Sequence, residues 1–204
     1  MLAKFAAVMG RIKTENNSTR KEIIVQKAAN LFKERGYKAA SMRDLAEVVG
    51  VEAASLYNHI NSKAELLHII CLDVANRFTN KIDEIEAENI SATQKIELLL
   101  RYHIREMLNN FCNVYVSDRE WKHLPDPYLL NFQNQRRTYR KRFAAIIEEG
   151  IKKKEIKKID APTAVLIMLH AISGIESFHR SKQRISTKEL EENMVTILLN
   201  GLAK

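Results

Sequence analysis

The sequence predicts an all-α protein of about nine helices, and three observations carry that prediction. Apolar residues recur at spacings of three and four along nearly the whole chain, and strictly alternating β-branched runs are absent. Only three prolines and six glycines occur in 204 residues, with neither type between Val51 and Leu124. A Ser or Thr followed three residues later by an acid satisfies the open amides of a first helical turn. The pattern stands at Thr19/Glu22, Ser41/Asp44, Ser62/Glu65 and Ser186/Glu189.

The elements follow in order. The tail to Asn17, ending RIKTENN, reads as a polar N-terminal arm, with Met9 as a second candidate start. A helix over 19–35 opens at Thr19 and stops at Gly36. The next, over 42–49, runs from Ser41 to Gly50, a residue type that takes a left-handed turn without penalty. Further helices are expected over 53–59, 62–87 behind Ser62, 91–111, and 114–123 before Pro125 and Pro127. The last three cover 126–154, 161–180 with Pro162 in a first turn near Asp160, and 187–202 behind Ser186. The first three are short and tightly linked, the later ones long, and no Gly/Ser linker intervenes. The chain therefore divides into an arm 1–17, a head 18–78 and a body 79–204, with a continuous helix between head and body.

A net charge of +8 and a pI near 9.4 favour polyanionic partners, while 46% hydrophobic and 28% charged residues suit a folded globular chain. Cys71 and Cys112 lie far apart with no further thiol or histidine at metal-site spacing, which suits a reducing cytoplasm. The N-terminal MLAKFAAVM is too short for a secretory core, and no apolar run approaches the roughly 18 residues of a membrane span, so no membrane partner is expected. No nucleophile–base spacing or Gly-rich phosphate loop appears, so the chain reads as a non-enzyme without a cofactor. One rival reading is a di-iron carboxylate bundle built on Glu65/His68 and Glu120/His123, with Glu97 and Glu148 as further ligands.

Residues 41–60 have helix-turn-helix spacing. Leu45, Val49, Val51, Leu56 and Ile60 can pack on Ala28, Leu31 and Phe32, which leaves Ser55, Tyr57, Asn58 and His59 outside the core. In such a motif the second helix enters the major groove. Tyr57 and His59 can then donate to phosphates, Ser55 to phosphate or base, and the methyls of Ala53 and Ala54 can meet a thymine methyl. Arg43 has the fork that grips guanine, and Lys63 adds a cation for a phosphate.

The run TRKEIIVQKAANLFKERGYKAASMRDLAEVVGVEAASLYNHINSKAELL resembles the DNA-binding domain of the TetR family of bacterial transcription regulators, in the pieces F-x-x-x-G-Y, D-L-A-x-x-x-G-V, L-Y-x-H and S-K-x-x-L. The resemblance covers about residues 18–78. It implies DNA contacts at Ser41, Met42, Arg43, Ala53, Ala54, Ser55, Tyr57, Asn58, His59 and Lys63. Glu52 stands where many members have Ser or Thr, and it is a weak helix cap.

The resemblance further implies a double-stranded operator, a helical body that takes a small effector, and a homodimer formed by the last two helices. Stripes that fit such an interface, or an internal core, are Val165, Met168, Leu169 and Ile172, then Leu190, Met194, Ile197 and Leu198. Candidate pocket residues are Tyr102, His103, Met107, Phe111, Trp121, Tyr139, Phe143, His170 and Phe178. The segment DREWKHLPDPYLLNFQNQRRTYRKRFAAIIEEG resembles a TetR subgroup that senses acyl-CoA thioesters, which would set Arg136, Arg137, Arg140 and Lys141 near CoA phosphates. Gly174 and Glu176 stand where that subgroup has aromatics.

Overall fold

The computed structural model describes residues 20–180 and 185–201. The head comprises α1 (Arg20–Arg35), α2 (Met42–Val49) and α3 (Ala53–Leu56), and α4 (Lys63–Ala87) runs from it into the body. The body continues with α5 (Ala92–Asn109), α6 (Phe111–Arg119), a 3-10 turn at Trp121–His123 and α7 (Tyr128–Lys152). It closes with α8 (Ala161–Ser173), α9 (Ile175–Arg180) and α10 (Thr187–Asn200). Thr19 and the arm lie outside the described residues.

The caps account for most boundaries. Ser41 and Asp44 form a reciprocal capping box on α2, and Gly50 ends that helix at φ 79°. Ser62 and Ser186 each accept from the amide three residues on, and Asp160 does so for α8, with Pro162 in its first turn. A further box, Ser91 with Gln94, opens α5 with an amide side chain in place of the acid.

Four expectations need correction. The helix expected over 53–59 ends at Leu56, and residues 57–59 continue as a turn in which the His59 amide donates to the Leu56 carbonyl at 2.9 Å. Glu52 supplies no side-chain cap, so this short helix lacks the N-terminal anchor that α2, α4, α5, α8 and α10 have. The helices expected over 91–111 and 114–123 meet at Asn110, and the second shortens into the 3-10 turn. The single helix expected over 161–180 is divided at Gly174. The stretch Ala161–His179 is also long and apolar enough to cross a membrane by length and composition alone, contrary to the expectation of no such run. In this fold Val165, Met168, Ile172 and Ile175 on that stretch pack inside the body.

Two apolar cores result. The head core gathers Ile24, Phe32, Leu45, Leu56 and Ile60 with Leu66 and Ile70 of α4, and it also takes Val116, Leu124 and Phe132 from α6, the turn and α7. The body core centres on Ile96, Leu99, Leu100, Phe143 and Ile147. Because α4 and α6 serve both cores, head and body share packed side chains instead of meeting through a linker.

The final helices divide the expected interface stripe between the core and the surface. Val165, Met168 and Ile172 are each 2% exposed, and Leu169, Leu190, Met194 and Leu198 pack against the body core. Val165, Met168 and Ile172 are core residues, which the apolar period alone could not decide, and the other four are half-buried. The outward apolar residues of α8 and α10 are Leu166 (51%), Ile167 (59%) and Ile197 (70%).

Candidate functional site

The head presents one outward face. Tyr57, Asn58 and His59 are exposed in the turn after α3, Ala54 is exposed on it, and Arg43 is exposed on α2. No side-chain partner holds Arg43 among the described residues. Leu56 and Ile60, fully buried on either side of the Tyr–Asn–His turn, fix its orientation. Ser55 is half-buried, and Met42 and Ala53 lean partly into the head core, so their surfaces are only partly available.

Two predicted contacts are already occupied. The Ser41 hydroxyl accepts from the Asp44 amide at 3.1 Å and donates to the Asp44 carboxylate, which Arg35 also holds at 2.7 Å. The Lys63 ammonium donates to the carbonyls of Tyr37 and Ala40 at 2.8 Å, approaches that of Lys38 at 3.4 Å, and lies 4.4 Å above the Tyr37 ring. Lys63 is thus a clamp on the α1–α2 turn, which corrects its reading as a cation open to phosphate. The exposed cation in that turn is Lys38, which no motif spacing marks because it lies outside the helix-turn-helix proper.

Lys63→Ala is therefore expected to lower stability by about 1–2 kcal/mol, since two carbonyls lose a charged donor. Urea unfolding would show this, and an unchanged midpoint would refute the clamp.

The body holds a cavity of about 350 Å³ between α4, α5, α6, α7 and α8. Four of the predicted pocket residues line it: His103, Met107, Tyr139 and His170. The other five lie elsewhere. Tyr102 sits edge-on to Phe78 at 5.4 Å, Phe111 stacks on His179 at 4.2 Å, and Phe143 is fully buried in the core. Phe178 packs against that core, and Trp121 lines a separate groove. Phe78, Asp118, Arg119 and Gln135 also line the cavity. Apolar spacing of three and four could not single them out, because they come from three helices whose facing such spacing does not fix.

The polar groups of the cavity have definite partners. Gln135 donates to Asn76 at 3.0 Å and Thr79 at 3.2 Å. Arg136 donates to Asp118 at 2.8 Å and to the Ser117 carbonyl at 3.3 Å, with its guanidinium 5.6–5.7 Å from the Phe132 and Trp121 rings. Arg140 has no carboxylate within ion-pairing distance among the described residues, and partial burial together with the Arg136 charge holds its pKa below the ordinary guanidinium value. Arg136 and Arg140 also line a groove of about 780 Å³ with Arg137, Lys141, Trp121 and Leu166. The cavity and the basic groove therefore meet at two arginines.

The di-iron arrangement does not form. Glu65 accepts from the Asn61 amide at 2.7 Å and Lys21 at 3.3 Å, while His68 stacks on Tyr128 at 3.8 Å. His123 stacks on Tyr37 at 5.6 Å with its Nε2 3.4 Å from Glu120, and Glu97 pairs with Arg101 at 2.9 Å. No group of three or more His, Cys, Asp or Glu side chains comes together among the described residues. Caps, stacking and ion pairs consume these residues locally, so the recurrent Glu-x-x-His spacing carried no shared site.

A helix-turn-helix head with an outward Tyr–Asn–His face, built onto an all-helical body around a cavity, defines the class of DNA-binding transcription regulators. A family model described as bacterial regulatory proteins, tetR family, matches residues 24–70, and one described as tetracyclin repressor-like, C-terminal domain, matches residues 89–202, more than half of the chain. The chain belongs to the TetR family and is a regulator, not an enzyme.

Among similar proteins, the HTH-type transcriptional repressor KstR2 of Rhodococcus jostii is 24% identical over 93% of this chain and 94% of its own. The solved structure of the ketosteroid transcriptional regulator KstR2 of Mycobacterium tuberculosis has a TM-score of 0.85 at 19% identity, covering 95% of this chain and all of that one. That of AibR in complex with isovaleryl coenzyme A and operator DNA has a TM-score of 0.79 at 19% identity, over 89% of this chain and 98% of that one.

Proposed function

We propose that the protein is a dimeric repressor of the cytoplasm that grips a near-palindromic operator with its two heads and releases it when an acyl-CoA thioester enters the body. Arg43 reads a base edge, Tyr57 and His59 hold phosphates, and Asn58 and Ala54 border the same groove. Lys38 supplies the phosphate charge in place of Lys63. Leu166 and Ile167 of one protomer pack on Ile197 and its neighbours in the other, which sets the recognition elements about 34–36 Å apart, one turn of DNA.

The observation that carries the effector class is the pair Arg136 and Arg140 between a largely apolar cavity and a basic groove. An acyl chain fits the first and coenzyme A phosphates suit the second, where Arg140 lacks an anion. AibR, solved in complex with isovaleryl coenzyme A and operator DNA, supports an acyl-CoA as the class of effector. The signal has a short route to the DNA. Helix α6 lends Val114, Ser117, Asp118 and Arg119 to the cavity. It also touches α1 through Asn113, which donates to Gln26 at 2.9 Å, and through Phe111 beneath Lys33 at 5.7 Å. An effector that displaces α6 therefore tilts α1 and changes the spacing of the heads.

Fluorescence anisotropy on DNA from the promoter beside its own gene tests the reading. Arg43→Ala and Tyr57→Ala are each expected to weaken binding about tenfold with unchanged folding, and Lys38→Ala to reduce the salt slope by about 1. Decanoyl-CoA is expected to release the wild-type complex. Full affinity in both head variants would sink the recognition face, and DNA retention across a panel of acyl-CoA thioesters would sink the effector class.

A further inference from the structure

One polar pair on the cavity wall stands apart from the arginines. His103 of α5 and Tyr139 of α7 share a hydrogen bond, Nε2 to Oη, of 2.7 Å. Phe78 stacks on the His103 ring at 4.3 Å and meets the Tyr139 ring edge-on at 5.9 Å. Val74, Met107 and Leu169 complete an apolar surround on the same cavity. Tyr139 is 9% exposed, whereas His103 keeps accessible surface, and the space beside its ring is the cavity.

The pair lacks one acceptor. Burial pushes the His103 imidazole down to about 3 and the Tyr139 phenol well above its ordinary value, so both are neutral near pH 7. A neutral imidazole carries one N–H and a phenol one O–H. Their mutual bond consumes one of these two hydrogens. If Tyr139 donates, the Nδ1–H of His103 is left over; if His103 donates, the hydroxyl hydrogen of Tyr139 is. No protein acceptor takes either among the described residues. Nor is Nδ1 sealed in: the fully enclosed side-chain atoms without a hydrogen-bond partner among those residues belong to Arg77 and Glu106. A donor without an acceptor at the wall of an apolar cavity costs stability unless something in the cavity accepts from it.

We infer that the His103–Tyr139 pair is a specificity site that selects effectors carrying an acceptor oxygen, a ketone or similar carbonyl, on the part buried in the cavity. This rests on the reading of the cavity as the effector site. A plain hydrocarbon tail at that wall strips water from the leftover donor and returns nothing. An oxo group at the same depth accepts the Nδ1–H of His103 where Tyr139 donates within the pair, the arrangement in which the leftover donor sits on the more open ring. The pair also pins α5 to α7, so its removal alone would not reveal selectivity; the discriminating readout is a preference between ligands.

Calorimetric titration of the full-length protein with decanoyl-CoA and its mid-chain oxo analogues provides the test. A methyl ketone and the alkane of equal chain length serve as a second pair of probes without coenzyme A. The best-placed oxo compound of each pair is expected to bind wild-type protein about tenfold more tightly than its hydrocarbon counterpart. The double variant His103→Phe/Tyr139→Phe is expected to erase the preference while operator binding persists, and the single variants identify which residue donates. Equal affinity within the wild-type pairs overturns the inference, whether or not the double variant folds, as does a preference that survives in the folded double variant. If the ketone is preferred but no CoA thioester binds, the site stands and the acyl-CoA reading falls. If the CoA esters bind without preference, that reading stands and the site falls.

Discussion

Phe143→Ala is expected to lower the free energy of unfolding by about 3–5 kcal/mol, the cost of removing a fully buried aromatic ring from a packed core. The ring lies among the α5 and α7 residues of the body core, next to His103 at a ring separation of 6.4 Å, and it does not line the cavity. Tyr102→Ala makes the contrast. Tyr102 is only half-buried, edge-on to Phe78 and 5.5 Å from the Lys81 ammonium, so its loss should cost no more than about 1–2 kcal/mol. Denaturant unfolding of both variants checks the order. A Phe143→Ala variant as stable as the wild type would mean that the body core is not packed as described.

That contrast shows where the sequence was legible. Helix entries were readable because Ser41, Ser62, Asp160 and Ser186 act on amides three residues away, which is local chemistry. The outward Tyr57–His59 face was readable because Leu56 and Ile60 had to turn inward. What depends on the facing of distant helices was not. Phe143 and His103 lie forty residues apart on the same kind of apolar pattern, yet one fills the core and the other borders a cavity. The stripe Val165, Met168 and Ile172 had the right period for an interface, and only the packing of α8 on α7 decided that it faces inward. Lys63 looked open because its partners are backbone carbonyls more than twenty residues earlier, which no side-chain pattern announces.

Glu191→Gln is the second large effect, and its pH dependence identifies the cause. Glu191 of α10 is 8% exposed and takes hydrogen bonds from two arginines of α5: Arg101 at 3.1 Å and Arg105 at 3.0 Å. Arg101 is further held by Glu97 and by both oxygens of Glu192, so one guanidinium staples α5 to α10. Burial pushes the Glu191 carboxyl upward, but the hydrogen bonds and charges of Arg105 and Arg101 outweigh it, and the net pKa is lowered. Replacing the carboxylate with an amide keeps the shape and removes the charge. Arg101 retains its other acids and Arg105 can reach solvent, so the expected loss at pH 7 is about 2–3 kcal/mol, below that of stranding a fully buried charge. A folded-state pKa below the unfolded glutamate value of about 4.3 means that the stabilisation is fully present above that pH and is lost as pH falls through the folded value. Wild type and variant should therefore differ most at neutral pH and converge in acid. A gap independent of pH down to the acid limit would assign the loss to shape instead of charge. Because α10 carries Ile197 on its outward face, the same staple sets the pose of the proposed dimer surface, and the variant should dissociate at higher protein concentration than the wild type at pH 7 but not in acid.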